Sequence, residues 1–337
     1  MYYVERKLQL QGWLEAQLKG GPLTLTAASA DASFRRYFRL QYGDRTLIAM
    51  DAPPAHEDCH AFVRIAGLLA AAGLHVPEII ASDFEHGFLL LSDLGTTSYL
   101  QALNADGAAG ADRLFADATD ALIRWQLASK PCVLPPYDRA LLRRELELFP
   151  EWYLQRHRGL TPGAAQRRML DSVFDALLES NLAQPTVYVH RDYMPRNLMV
   201  CTPNPGVLDF QDAVYGPITY DVASLFKDAF ISWDEARVLD WTVRYWEKAK
   251  RAGLPVDTDF GAFYRDFEWM GLQRHLKVLG IFARLHYRDG KPGYLDDTPR
   301  FIAYVRAVAA RYTALAPLLA LLDLSEGKTG ASVGYTF

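Results

Sequence analysis

Apolar residues follow two periods along this chain. Over residues 4–19 they stand at helical spacing among charges, and Gly20-Gly21 ends the pattern. Residues 34–41 and 45–51 read instead as two strands, with Tyr42-Gly43-Asp44 as the turn between them. Residues 57–72 return to helical spacing through Ala61, Phe62, Ile65, Leu68 and Leu69, and Gly73 closes them. Residues 78–83 and 88–91 form a further strand pair, turned at Glu85-His86-Gly87. Beyond Ser92-Asp93-Leu94-Gly95 helical patterns dominate. One interruption remains: a β-branched and aromatic run at 186–189, a loop, and short strands at 198–201 and 207–210.

Strands with one helix, a connector, and then helices around a small hairpin predict an α+β protein of two lobes. The N-terminal lobe is expected at residues 1–94, built on an antiparallel sheet. The larger, mainly helical lobe is expected at 95–337. A length of 337 residues is enough to give both a core.

Composition narrows the function classes. Half the residues are hydrophobic and the formal charge is -4, which offers no electrostatic footprint for nucleic acid. The three cysteines, Cys59, Cys132 and Cys201, show neither zinc spacing nor a disulfide framework. The start, MYYVERKLQLQGWLEAQL, mixes charges into its apolar positions, unlike a secretory signal, and no apolar run is long enough to span a bilayer. The expectation is a cytoplasmic protein with no membrane or nucleic-acid partner, its oligomeric state open.

The chemistry concentrates in His190-Arg191-Asp192-Tyr193-Met194-Pro195-Arg196-Asn197, with Asp209-Phe210-Gln211 twelve positions after Asn197. An Asp at the end of a strand, an Asn five residues on in the same loop, and a second Asp on the next strand supply two carboxylates and an amide oxygen. Phosphoryl transfer needs that set. Asp192 is the expected base that positions the attacking hydroxyl. Asn197 and Asp209 are the expected ligands of Mg²⁺, a hard cation that prefers oxygen. The loop matches the kinase pattern H-R-D-x-x-x-x-N throughout, and Asp209-Phe210 stands where D-F-G would begin. His190 is read as a packing residue of the loop. Asp221 is read either as a helix cap or as a brace beneath the loop.

These residues resemble the aminoglycoside phosphotransferase and choline kinase-like superfamily, over nearly the whole chain. Four stretches are similar to one branch of it, the anomeric kinases of N-acetylmuramate and N-acetylglucosamine in cell-wall recycling. They are residues 31–39, 50–54, 148–153 and 271–280. The resemblance implies a protein-kinase-like fold, ATP with Mg²⁺, an amino-sugar substrate and a sugar 1-phosphate product. It places the nucleotide against Ser29, Ala32, Ser33 and Arg36 and along the connector at Leu91 and Asp93. On the sugar side the candidates are Glu145, Trp152, Tyr153, Trp269, Arg274 and Lys277, since sugar sites pair carboxylates with aromatic faces. A cation there suits the lactyl carboxylate of N-acetylmuramate.

Two departures stand out. The stretch over the phosphates, residues 29–33, contains no glycine, and the third strand carries Met50 near the position of the kinase lysine. No lysine occurs between Lys19 and Lys130, which leaves Arg35, Arg36, Arg39 and Arg45 as candidate phosphate cations. Strand alternation puts Arg36 with Phe38 on one face, and Arg35, Tyr37 and Arg39 on the other. The alternative readings are a kinase of aminoglycosides or other small hydroxylated molecules, and a nucleotide-binding pseudokinase.

Overall fold

The computed structural model describes residues 2–19, 23–29 and 34–328. In chain order the elements are α1 (Tyr2–Leu18), β1 (Thr26–Ser29), β2 (Arg36–Tyr42), β3 (Arg45–Asp51), α2 (Cys59–Ala71), β4 (Ile79–Asp83), β5 (Phe88–Ser92), α3 (Tyr99–Asp106) and α4 (Ala108–Leu127). Then come α5 (Arg139–Leu146), a π-helical segment (Phe149–His157), α6 (Ala164–Ala183), β6 (Thr186–Val189), β7 (Leu198–Met199), β8 (Gly206–Val207) and β9 (Val214–Pro217). The remainder is helical: α7 (Tyr220–Phe226), α8 (Glu235–Arg251), α9 (Phe260–Tyr287), α10 (Thr298–Arg311) and α11 (Pro317–Ser325).

Packing divides the chain into two compact units. One comprises Met1–Trp125 with Pro195–Ala213, the other Gln126–Met194 with Val214–Phe337. The chain thus changes unit inside the motif, between Met194 and Pro195.

In the first unit an antiparallel sheet runs in the order β1-β2-β3-β5-β4. Alternation along β2, β3 and β5 sends Phe38, Leu40, Leu47, Ala49, Phe88 and Leu90 to one face, where Leu10, Leu14 and Leu18 of α1 cover them. The three leucines repeat every fourth residue, so they line a single helix face. The same face buries a charge cluster. Arg6 of α1 donates through Nε to Asp51 Oδ1 at 3.0 Å, and Arg36 pairs with the other oxygen of Asp51. The opposite face carries Tyr37, Arg39, Ile48 and Leu91, which border a cavity.

Three local expectations change. β1 completes the sheet edge, although Thr-Ala-Ala-Ser shows no alternation from which to foresee it. α2 starts at Cys59 rather than at 57, because the Asp58 side chain accepts from His60 N at 2.8 Å and caps it there. The hairpin β7–β8 is shorter than expected, so Asp209 lies beyond the strand with φ of 62°.

The second unit is organised around α9, a helix of 28 residues. Gly280 lets the π-helical segment approach it, since a Cβ there would stand 2.4 Å from the Leu148 carbonyl carbon. β6 and β9 pair antiparallel from Thr186↔Pro217 to Val189↔Val214, and β6 ends just before His190. Among the described residues no helix is long and apolar enough to cross a membrane.

Candidate active site

In the second unit, β6 delivers His190, Arg191 and Asp192 into a tight loop. Asp221, in the first turn of α7 and wholly buried, accepts His190 N at 2.6 Å and Arg191 N at 3.0 Å. Its carboxylate therefore holds the loop backbone instead of capping its own helix. Burial raises the Asp221 pKa to about 7. The two backbone donors and Arg274 work against that rise, and Asp192 adds to it. Arg191 takes a left-handed backbone, φ 75°, and Met194 N donates back to Asp192 O at 3.0 Å. Of the four non-glycine residues in that conformation among those described, Arg191 and Asp209 belong to the motif. Such outliers collect where a loop is held for function. His190 is buried, its ring edge-on to Tyr193 at 5.6 Å.

Behind the loop lies a buried charge cluster. Glu145 of α5 accepts from Arg191 and Tyr137, from Lys277 Nζ at 2.9 Å and from Gln273 Nε2 at 3.4 Å. Burial alone would raise its pKa, but Lys277, Arg191 and the Tyr137 hydrogen bond outweigh it and hold the group at about 2. Lys277 also donates to Tyr220 Oη at 3.1 Å, and two cations thus share one carboxylate. Arg274 is 2 % exposed, and its Nη2 lies 3.6 Å from the Met194 sulfur. Sequence reasoning reached Glu145, Arg274 and Lys277 but not Tyr137, Arg191 or Gln273. Arg191 was legible only as a letter of the motif. Trp152 stands part-exposed on the π-helical segment, and Tyr153 is buried there, stacked on Phe149. Trp269 packs edge-on against Tyr312 at 5.6 Å.

In the first unit, a 3-10 turn at Pro195–Asn197 and the β7–β8 hairpin bring Asn197 beside Asp209. Asn197 Nδ2 is 3.3 Å from Asp209 Oδ2, Gln211 Nε2 donates to Asp209 Oδ1 at 3.0 Å, and Leu208 N bonds Asn197 O at 2.9 Å. Phe210 is buried against Phe62 of α2, ring centroids 4.8 Å apart, and so pins this segment to the helix. A carboxylate and an amide are hard oxygen donors. The pair fits Mg²⁺, which takes one or two protein oxygens and completes its shell with water and phosphate.

Asp209 and Asn197 border the cavity of about 380 Å³ on the sheet face. Of the residues expected at the nucleotide, Leu91 and Asp93 line it. Asp93 is engaged by Arg39, with Nε to Oδ2 at 2.6 Å and Nη2 to Oδ1 at 2.9 Å. Arg39 also reaches Gly95 O at 2.8 Å. Burial would raise the Asp93 pKa, but these bonds lower it. Arg36 points to the α1 face with Asp51, and Arg39 is the β2 arginine on the cavity wall. Alternation had separated the two sets without saying which faces the cavity. Ser29 ends β1, and Ala32 and Ser33 lie outside the described residues.

Residues 24–256 match the model of the phosphotransferase enzyme family. The chain is 57% identical over 333 residues to the N-acetylmuramate/N-acetylglucosamine kinase of Pseudomonas putida, covering 96% of this chain and 97% of that protein. Among solved structures it resembles a choline kinase from Streptococcus pneumoniae, with a TM-score of 0.63, 12% identity, and coverage of 91% of this chain and 99% of that one. An ADP-bound aminoglycoside phosphotransferase gives a TM-score of 0.58 at 12% identity, with coverage of 88% and 97%. At these identities the structural likeness concerns the fold, which is the protein-kinase-like fold of these enzymes.

Proposed function

Because the chain belongs to the phosphotransferase enzyme family, we propose that it transfers the γ-phosphoryl group of ATP to the anomeric hydroxyl of N-acetylmuramate and N-acetylglucosamine, giving the sugar 1-phosphates in cytoplasmic peptidoglycan recycling. The observation that carries this reading is the 57% identity, over nearly both full lengths, to a kinase of those two sugars.

The residues support the chemistry. Asp192 holds the sugar hydroxyl and takes its proton. An anomeric hydroxyl is more acidic than an ordinary alcohol, and the transition state is loose, so a carboxylate of ordinary basicity suffices. Asp221 keeps the loop in place through its two backbone amides. Asn197 and Asp209 hold Mg²⁺, which supplies neutralisation of the phosphate charge when bound. The cavity takes the nucleotide, with Ile48 and Leu91 as apolar walls and the connector at 91–94 along the adenine edge. Residues 1–94 then serve the nucleotide together with the segment 195–213, and the rest of 95–337 supplies the catalytic loop and the sugar contacts.

On the sugar side, Glu145, Trp152 and Arg274 are the proposed contacts, and Arg191 and Lys277 surround Glu145 with positive charge. That charge favours a substrate bearing a carboxylate. It disfavours the second reading, a kinase of polycationic aminoglycosides, which would need an acidic groove. Incubation with ATP, Mg²⁺ and each of N-acetylmuramate, N-acetylglucosamine and an aminoglycoside separates the two. The proposal expects ATP consumption with the amino sugars. Turnover confined to the aminoglycoside would reject it, and no turnover with any acceptor would favour a pseudokinase.

A further inference from the structure

We infer that Arg35, held by Glu57, is the cation that meets the nucleotide phosphates, in place of the strand lysine this chain lacks. The inference rests on the nucleotide reading of the cavity given above.

A phosphoryl-transfer site needs a fixed cation besides its metal. The third-strand position is closed to that task. Met50 is wholly buried, paired in register with Tyr37 on one side and Leu89 on the other. The arginines near the sheet sort by what already engages them. Arg36 is on the far face with Asp51. Arg39 is committed in a fork to Asp93 and to Gly95 O. Arg45 is exposed at the β2–β3 turn.

Arg35 differs from all three. It lies one residue before β2, and its side chain is only 10% exposed. Its Nε is 3.2 Å from Glu57 Oε2, while Glu57 Oε1 accepts the backbone N–H of Phe34 at 3.2 Å. Glu57 therefore fixes both the guanidinium and the chain that carries it. Glu57 stands just before Asp58, the cap of α2, the helix whose Phe62 packs on Phe210 next to Asp209. Burial opposes the Arg35 charge, but Tyr37, Glu57, Asp209 and Asp212 together outweigh it and raise its pKa. A guanidinium offers phosphate a planar fork, and an anchored one loses less freedom on binding than a loose lysine. The ion pair with Glu57 thus sets a cation beside a carboxylate just ahead of α2, at the entrance of the second strand instead of on the third.

Arg35 precedes Tyr37 and Arg39, two lining residues of the cavity, without lining it itself, and Arg196, which does line it, is the competing residue. The test is calorimetric titration of the full chain with ATP in Mg²⁺ and, separately, with adenosine. It compares wild type, Arg35→Ala, Arg35→Lys and Arg196→Ala. Arg35→Ala is expected to weaken ATP binding about 10- to 100-fold, the range of a charge-assisted hydrogen bond, while leaving adenosine unchanged. Arg35→Lys is expected to recover part of the loss. The inference is overturned if Arg35→Ala keeps ATP affinity within about twofold, loses ATP and adenosine equally, or is matched by a full loss in Arg196→Ala alone. A wild type that binds neither ligand overturns the nucleotide reading itself. A wild type that binds both beside an unaffected Arg35→Ala overturns only the role of Arg35.

Discussion

The two halves of the motif are fixed by different means. The loop from His190 to Asp192 is gripped through its backbone, by a buried carboxylate that accepts two amide hydrogens. Asn197 and Asp209 are arranged through their side chains, which bond each other and Gln211. A backbone grip holds Asp192 in position without any ligand. Side-chain bonds among hard oxygen donors can be exchanged for bonds to a cation when one arrives. Under the proposed function, the half that carries Asp192 is built rigid, whereas the half with Asn197 and Asp209 would be completed by a bound cation.

The largest effect should fall on the base. Asp192→Asn is expected to lower kcat about 10³-fold, within the usual span for general-base removal, while calorimetric affinity for ATP stays unchanged. An unaltered kcat would remove Asp192 from its role. Next come the metal donors. Asn197→Ala is expected to raise the Mg²⁺ concentration needed for half-maximal rate about tenfold or more, with excess Mg²⁺ restoring part of the rate. Its thermal unfolding without metal should match wild type. If metal-free stability fell instead, the side-chain bonds would be structural and the contrast between the two halves would fail.

Asp221→Ala tests the grip on the loop. One buried and one part-buried N–H group lose their acceptor, which costs about 2–4 kcal/mol by chemical denaturation. A loss below about 0.5 kcal/mol would show that the loop holds itself.

The smallest effect, and the sharpest in sign, concerns pH. Asp221 and Glu145 are both buried carboxyls of the second unit, shifted in opposite directions. Burial lifts Asp221 to about 7, whereas an unfolded Asp releases its proton near about 4. Its contribution to stability is therefore full below about pH 4 and is lost as pH rises through about 7. Burial also acts against the charge of Glu145, yet Lys277 and Arg191 overcome it and hold the group at about 2. Its contribution is present above about pH 4 and is lost as pH falls toward about 2. In melting curves across pH, Asp221→Asn should abolish the decline on the neutral side and Glu145→Gln the decline on the acid side. The same slopes in both variants as in wild type would refute these assignments.

Much of the fold was legible because its elements obey simple periods. The leucines of α1 and the alternation in β2 and β3 each announce a buried face. What stayed hidden depended on partners distant in sequence. Nothing in residues 36–39 reveals that α1 covers Phe38 and so draws Arg36 to Asp51, leaving Arg39 for the cavity wall. The cluster at Glu145 joins α5, the loop after β6 and α9, with Arg191 46 residues away and Lys277 farther still. Asp209 was readable as a residue type, but its left-handed backbone follows from the short hairpin before it. The chemistry-bearing letters were thus plain in the motif, whereas the charges that surround them required the packed chain.

The proposal at stake is that this chain phosphorylates an amino sugar at its anomeric hydroxyl. The most direct measurement is the NMR spectrum of the product formed from ATP, Mg²⁺ and N-acetylmuramate, with the phosphorus coupling traced to carbon. The account predicts an acid-labile phosphate whose phosphorus couples to H1, to C1 through two bonds and to C2 through three. Phosphorus coupling to other positions with none to C1 or H1 would contradict it.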